Sequence, residues 1–373
     1  MSSKRTLKTS SQGATKKARF SKPKKSKNKK RIIQYASLNS KFINLLERVS
    51  PSPVNNEENE DELSHKEDSS SIRKGRTYTV SIALPGSIID NAQSAELKTY
   101  LAGQIARAAA VFNVDEIIVF NESIQSQGVS NSTNCNLFLA RILQYLETPQ
   151  YLRKQIFPKH SDLQYAGLLN PLDAPHHLRQ DEVSEYREGI VLDRPVKSGC
   201  GSFVNAGLKK EVQIDKCIKP NVRVTIQLVP NTKTNPKYLT GKVVSPNAPR
   251  TDAGIYWGYT VRLANTFGAV FTESSYKDGY DLTIGTSDKG DDISAQSELP
   301  EFKHLLLVFG GLQGLEASLE SDENLTVDDV SLLFQFYWNT CPNQGSRTIR
   351  TEEAILITLS TLKPLIEKSG FRK

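Results

Sequence analysis

The 373-residue sequence predicts an α/β protein whose parallel-sheet domain is interrupted by a small all-β module. One observation is a strand, a helix and a second strand within residues 76–120, which together make a βαβ unit. Another is a series of short alternating strands in residues 185–265, after which the α/β pattern returns. We therefore divide the chain into a tail over residues 1–75, a first α/β part over 76–184, the β module over 185–265 and a second α/β part over 266–373.

The tail holds the positive charge of the chain. The formal net charge is +7, but residues 1–31 contain thirteen Lys and Arg and no Asp or Glu, which leaves −6 for the rest. Because large apolar side chains are nearly missing there, we expect the tail to be disordered. Such clusters serve nuclear or nucleolar import or add affinity for RNA phosphates, and a merely solvated tail is the alternative. From residue 73 onward the net charge is −1, so the positive net charge of the chain is not evidence that the folded domain has a basic surface.

The first α/β part begins with an apolar strand over residues 76–84, followed by a Pro-Gly turn. Ser94 is the expected N-cap of the next helix, whose apolar face recurs at three- and four-residue steps. That face consists of Leu97, Leu101, Ile105, Ala108 and Phe112. A buried strand over residues 116–120 and a second helix over 136–147 complete this part. The pattern predicts a parallel sheet with a right-handed crossover.

The β module and the second α/β part follow. The expected module strands cover residues 189–193, 201–205, 211–214, 222–229, 239–244 and 256–263, with Gly, Pro and Asn between them. Their number and spacing are typical of a small antiparallel barrel or sandwich, which is inserted into the α/β domain or lies between its halves. A helix is predicted over residues 351–363, with Glu352 and Glu353 near its start and Pro364 at its end.

Several function classes lack their signatures. The four cysteines show no C-x-x-C spacing, which favours a reducing, intracellular compartment, and neither a secretory signal nor a membrane span is expected. No Walker A loop, nucleophile elbow or kinase motif occurs. The adjacent His176 and His177 lack a partner motif, so no metal site is predicted. Cys341 has no nearby histidine to activate it, which favours a thiol that lines a pocket over a nucleophile.

Three glycine-bearing segments follow apolar runs near the C-terminus: residues 285–290, 310–314 and 339–347. Ligands of open parallel sheets bind beyond the carboxyl ends of the strands, where glycine lets the backbone approach them closely. We therefore expect the three segments to form one ligand pocket. The alternative is that each is an ordinary turn.

The residues of these segments resemble a known family. The stretch LLLVFGGLQGLE at residues 305–316, NTCPNQGSRTIRTEEAIL at 339–356, TVSIALPGS at 79–87 and FNE at 120–122 are similar to the SPOUT-class RNA methyltransferases of eukaryotes and archaea. The resemblance covers about residues 76–370. The portion IRTEEA at residues 349–354 also resembles a signature of bacterial rRNA uridine-N3 methyltransferases, with Glu353 in place of their threonine.

The resemblance implies a C-terminal deep trefoil knot, an oligonucleotide-binding (OB-like) character for the β module, and a homodimer that forms through the knot. It also implies that S-adenosylmethionine (SAM) binds between the three glycine-bearing segments. From the residues themselves we expect no metal and no membrane as partners. The cofactor residues carried over by position are Thr286, Gly310, Gly311, Leu312, Asn339, Thr340, Cys341, Gln344, Ser346, Ile349 and Thr351.

The implied reaction is methylation of an RNA base, with N3 of a uridine in ribosomal RNA favoured, in the nucleus and especially the nucleolus. Arg350 is the candidate that stabilises the developing uracil anion, and Glu352 the candidate that orients Arg350 or the base. A salt bridge between Arg350 and Glu352 at the start of the helix is the structural alternative. Two other functions stay open: a non-enzymatic RNA-binding or ribosome-assembly factor on the same scaffold, and a protein methyltransferase.

Overall fold

The computed structural model describes residues 75–122, 131–197, 199–229 and 237–371, apart from the side chains of 131–134. The predictions for the tail fall outside these residues. The strands are β1 (Thr79–Pro85), β2 (Glu116–Phe120), β3 (Tyr186–Val191), β4 (Phe203–Asn205), β5 (Val212–Gln213), β6 (Arg223–Leu228), β7 (Leu239–Val244), β8 (Thr260–Ala264), β9 (Leu282–Asp292), β10 (His304–Phe309) and β11 (Phe336–Asn339). The helices are α1 (Ala95–Val111), α2 (Asn131–Glu147), α3 (Gln150–Ile156), α4 (Ala248–Thr251), α5 (Ala269–Thr272), α6 (Gly314–Glu320) and α7 (Thr351–Ser369).

The α/β domain is built on a six-stranded parallel sheet in the order β11-β9-β10-β1-β2-β8. Ile82 of β1 lies between Leu307 of β10 and Ile117 of β2, so the central strands come from both α/β parts of the chain. The predicted βαβ unit is confirmed as β1, α1 and β2. Ser94 accepts a hydrogen bond from the Leu97 backbone N–H (3.3 Å), as expected of an N-cap.

Alternate residues of each central strand enter two separate cores, as the strand period of two requires. Ile82, Ile117 and Leu307 lie on the face that is covered by α1, α2 and α7. Ile118 and Val308 lie on the opposite face, which packs against α5, α6 and the segments beside them. Because both faces are covered, these strands are buried and mostly apolar, which made them recognisable in the sequence.

The β module is a closed five-stranded barrel in the order β3-β4-β5-β7-β6. All of its pairings are antiparallel except that of β5 with β7. A small apolar core fills it, in which Val204, Val212 and Ile226 are fully buried. The barrel prediction is confirmed, and its five strands match the strand number of an oligonucleotide-binding fold.

One predicted barrel strand is wrong. The segment 256–263 instead contributes β8, which pairs with β2 at the edge of the parallel sheet. An edge strand is less buried than a central one, so β8 alternates between buried Val261 and partly exposed Arg262 like a strand of an antiparallel sheet. The boundaries of the β module stay a prediction, and we propose that the module ends before β8.

The C-terminal helix also differs from its prediction, because α7 continues through Pro364 to Ser369. Proline inside a helix removes one backbone hydrogen bond. The packing beyond it offsets that cost: Ile366 is buried in the main core, and the Ser369 hydroxyl donates to the Leu299 carbonyl oxygen (2.9 Å). No helix in the described ranges is long and apolar enough to cross a bilayer.

A buried charge network joins the barrel to α2. The Arg223 guanidinium of β6 donates two hydrogen bonds to Glu147 at the end of α2 (2.6 and 2.8 Å) and one to Glu188 of β3 (2.6 Å). Glu188 also accepts from the Trp257 indole N–H (2.7 Å). His176 contributes its Nε2 to the same cluster, 2.8 Å from the Glu147 carbonyl oxygen. The barrel is therefore held against the α/β domain by a network in which each charge has a partner.

Candidate active site

The three glycine-bearing segments lie toward the carboxyl ends of β9, β10 and β11, at one edge of the sheet. The first segment is not the loop that we predicted, because residues 285–290 lie within β9. The register of β9 against β11 jumps from the pair Gly285–Tyr337 to the pair Asp291–Trp338, so the intervening residues bulge out of that ladder. The backbone can still present this stretch to a ligand, as a bulge does next to many sites.

Hydrogen bonds connect each of the three segments to another segment or to an element that flanks one. The Thr286 hydroxyl donates to the Val308 carbonyl oxygen (3.0 Å), which links the first segment to β10. The Asn339 side-chain amide donates to the Asp288 carbonyl oxygen (3.1 Å), which links the third segment to the first. The Thr351 hydroxyl donates to the Gly310 carbonyl oxygen (3.0 Å), which links the start of α7 to the second. The sequence prediction that these segments come together is therefore supported by one direct bond, between the first and the third, and by two bonds that involve flanking residues.

The second segment turns tightly after β10. The Gly314 N–H donates to the Gly311 carbonyl oxygen (3.1 Å), and Gly314 has a φ of +80°, which favours glycine. A Cβ atom on Gly310 would lie 2.8 Å from the Gly314 carbonyl carbon, so only glycine fits there without a backbone shift. Leu312 at the tip is 81% exposed, which places an apolar surface beside the bare glycine backbone.

The third segment is shaped by its own polar side chains. The Asn339 side-chain oxygen accepts from the Cys341 N–H (3.0 Å), the Gln344 amide donates to the Ser346 carbonyl oxygen (2.9 Å), and the Ser346 hydroxyl donates to the Thr348 carbonyl oxygen (2.9 Å). The Thr340 and Thr358 hydroxyls hydrogen-bond each other (2.7 Å), which fastens the segment to α7. These side chains hold the loop in one conformation.

The two candidate catalytic residues lie at the start of α7. Arg350 is its N-cap residue, with an exposed side chain, and its backbone N–H donates to the Glu353 carboxylate (2.9 Å). Glu353 is thus a capping residue, which gives it a structural role where the bacterial signature has threonine. Within the described ranges no ion pair joins Arg350 to Glu352, so the salt-bridge alternative is wrong. The Arg350 side chain is therefore exposed and not paired with Glu352.

The structure adds acidic residues that the sequence analysis missed. Glu122, just beyond β2, accepts hydrogen bonds from the Ser87 and Ser318 hydroxyls, the latter at 3.1 Å. Glu316 in the first turn of α6 pairs with Lys289 (2.7 Å). Burial alone would raise the pKa of Glu316, but the Lys289 ammonium holds that pKa below its ordinary value. The signal for Glu122 was its place directly after a buried strand that ends at the same sheet edge.

Comparison with known proteins identifies the family. The family described as "Putative RNA methyltransferase" matches residues 79–362, and the chain belongs to it. A human protein named 28S rRNA (uridine-N(3))-methyltransferase is 60% identical over 323 residues, covering 84% of each chain. A Drosophila melanogaster protein of the same name is 51% identical over 313 residues, covering 79% of this chain and 64% of its own.

The solved structures are much more distant. The methyltransferase AviRb from Streptomyces viridochromogenes, solved in complex with AdoMet, is 10% identical, with a TM-score of 0.30. That match covers 79% of this chain and 60% of the other.

Membership of a methyltransferase family implies SAM as the methyl donor, and the site has the features needed to hold it. Gly310 and Gly311 carry no side chain, so a ligand can approach their backbone closely, and the exposed Leu312 and partly exposed Ile349 supply apolar surface. A pocket of apolar walls with a few fixed polar groups is what an adenosine moiety requires. No group of three or more acidic, His or Cys side chains that could hold a metal occurs in the part of the chain that is described.

Proposed function

We propose that this protein transfers a methyl group from SAM to N3 of a uridine in the RNA of the large ribosomal subunit. The observation that carries the proposal is the identity of 60% to a human 28S rRNA (uridine-N(3))-methyltransferase over 84% of this chain. The family match over residues 79–362 includes all three glycine-bearing segments. The linked segments at the carboxyl edge of the sheet supply a site for the donor, and Arg350 beside them supplies a positive group for the acceptor.

We propose the following division of roles. Bound SAM supplies an electrophilic methyl group on a positively charged sulfur. Gly310, Gly311 and Leu312 hold its adenosine through backbone groups and apolar contact, and the remaining candidates on the first and third segments fix the walls of the pocket. The uridine N3–H loses its proton as the N–C bond forms. Arg350 stabilises the anion that develops on the uracil ring, while Glu352 orients Arg350 or the base.

The test measures uridine-N3 methylation of ribosomal RNA by mass spectrometry in cells depleted of this protein. We expect the mark to disappear on depletion and to return with the wild-type chain. Arg350→Ala should lower the methylation rate about 100-fold and leave SAM affinity within about twofold, because the lost interaction acts on the acceptor. An unchanged RNA modification pattern on depletion would refute the function, and a full rate with Arg350→Ala would refute only the role of Arg350.

We propose that RNA binds to the surface of the barrel. Residues 186–244 contain eleven Lys and Arg against four Asp and Glu, a net charge of +7, whereas the other residues from 73 onward carry −8. Lys209, Lys210, Lys216 and Lys219 lie in the turns that flank β5, all exposed, and within the described ranges none forms an ion pair. From residue 73 onward, the net charge is therefore close to zero only because the positive charge of the barrel and the negative charge of the α/β residues cancel. A basic surface such as that of the barrel attracts the phosphate backbone of RNA.

Replacement of these four lysines by serine should weaken RNA binding and flatten its salt dependence. Each lost phosphate contact to a single strand reduces the slope of log K against log salt by about 0.7. SAM affinity should be unchanged. The matched control replaces four exposed lysines of the α/β domain, at 277, 303, 363 and 368, by serine. If both quadruple variants lose RNA affinity equally, the barrel is not the docking surface.

Three further proposals rest on the resemblance and on composition. We propose a homodimer that forms through a C-terminal trefoil knot, which the molar mass from light scattering would test. We also propose a nuclear and nucleolar location, since ribosomal RNA is made there and residues 1–31 carry thirteen basic residues and no acidic one. A fluorescent fusion that lacks residues 1–31 should then be excluded from the nucleolus.

A further inference from the structure

Glu122 occupies a position at the site that none of the roles above explains. Its side chain is partly buried at the carboxyl end of β2, and both of its oxygens accept hydrogen bonds from hydroxyls: Oε1 from Ser87 and Oε2 from Ser318. Ser87 follows β1, and Ser318 lies on α6, just after the second glycine-bearing segment. The carboxylate is therefore fixed in place from two sides.

The carboxylate lies directly against the second segment. A Cβ atom on Gly311 would be 2.8 Å from Oε1 and 3.1 Å from Oε2 of Glu122, and 3.2 Å from Cγ of Pro85. Any side chain at position 311 would push against the charged group. The glycine thus keeps a carboxylate next to the backbone of a ligand-binding loop, where an acidic side chain is unexpected unless it faces the ligand.

The charge of Glu122 has no counter-ion within the described ranges. The ion pairs there include those of Glu116, Glu147, Glu188 and Glu316, but none of Glu122. Two hydroxyl donors orient a carboxylate without neutralising it. A partly buried negative charge without a counter-ion carries a desolvation penalty, and a positively charged ligand beside it would offset that penalty.

We propose that Glu122 is the cofactor-binding residue that receives the positive sulfonium of SAM. The inference rests on the proposed function. The α-ammonium of the cofactor is already compensated by the α-carboxylate of the same molecule, whereas the sulfonium has no negative partner of its own. Glu122 supplies that partner next to Gly311. Phosphate groups of RNA would be repelled here, and the described residues around Glu122 offer too few ligands for a metal.

The test compares three probes by calorimetry on the full chain and on Glu122→Gln. SAM carries the sulfonium, sinefungin carries an ammonium group in its place, and S-adenosylhomocysteine is neutral there. We expect the variant to bind SAM and sinefungin about 10-fold more weakly, as befits the loss of one charge-assisted contact, and S-adenosylhomocysteine within about twofold of wild type. Added salt should reduce the difference between wild type and variant for the two cationic probes.

Ser318→Ala is the matched control, because it removes one hydrogen bond to Glu122 and keeps the charge. We expect it to preserve the ratio of SAM to S-adenosylhomocysteine affinity. An equal loss of all three ligands in Glu122→Gln, or unchanged SAM affinity, would overturn the inference while leaving the proposed function in place. A wild-type chain that binds none of the three would overturn both. Thermal unfolding of each variant checks that any loss is not a loss of fold.

Discussion

Gly311→Arg abolishes cofactor binding and methylation and leaves RNA binding intact: this is the largest effect that we expect of a single substitution in the site. Even a Cβ atom at position 311 would lie only 2.8 Å from Oε1 of Glu122 and 3.2 Å from Cγ of Pro85. An arginine there would fill the space beside the second segment and pair with Glu122. We expect SAM affinity to fall at least 100-fold, equivalent to about 2.7 kcal/mol.

The measurement is calorimetry with SAM together with an RNA-binding assay on the same preparation. Gly167→Arg is the matched control, because a Cβ atom at that position has nothing within 4 Å. In depleted cells, Gly311→Arg should fail to restore the uridine-N3 mark. If it restores cell growth and ribosome assembly without the mark, the protein acts chiefly as an assembly factor. Normal SAM affinity in Gly311→Arg would contradict the location of the cofactor site.

Arg223→Met should destabilise the protein by about 3–5 kcal/mol, because it leaves carboxylates at the junction of barrel and α2 buried without their cation. Arg223 bridges Glu147 and Glu188 at 2.6 Å each, and these carboxylates are 8% and 4% exposed. Denaturant unfolding at neutral pH measures the effect. The control is Arg194→Met, since Arg194 pairs with Glu211 at an exposed site, where an ion pair contributes at most about 1 kcal/mol.

The same variant should show a diagnostic pH dependence. Burial would raise the pKa of Glu147, but Arg223 and His176 hold that pKa far below its ordinary value. In the wild type the ionised Glu147 carboxylate therefore stabilises the fold at every pH above its ordinary, unfolded-state pKa. This contribution is lost only as the pH falls through the lowered pKa of Glu147 in the folded protein. Without Arg223 the pKa of Glu147 rises, so protonation relieves the penalty. The deficit of Arg223→Met should shrink between pH 7 and pH 5, and a deficit independent of pH would contradict this account.

How far the sequence predicts the molecule depends on how each element is buried. The central strands β1, β2 and β10 could be predicted because both of their faces are covered and their residues are mostly apolar. The edge strand β8 could not be assigned to its sheet, because half-buried alternation is common to edge strands and barrel strands. Pro364 was interpreted as a helix end, since the packing of Ile366 beyond it is a tertiary effect.

In the candidate site, too, some features could be predicted from the sequence and others could not. Glycine-bearing segments after apolar runs could be predicted to meet, because parallel strands end at one edge of a sheet. Residues 285–290 were expected to form a loop, because a bulge of β9 has the same glycine-rich composition as a turn. Glu122 lies in the stretch FNE that carries part of the family resemblance and directly follows a buried strand, but only its distance from Gly311 shows that it lies against the second segment.

The pairing of β1 with β10 has a consequence for the synthesis of the chain. The partners Thr79 and His304 are 225 residues apart, and the barrel is made between them. During translation β1 and β2 emerge early, but the edge of β1 that β10 will cover stays unpaired until the ribosome has passed the whole barrel. Such long-range parallel pairing closes slowly. The barrel, whose strand partners are closer in sequence, can fold first, and the nascent sheet then needs protection from aggregation for longer than the barrel does.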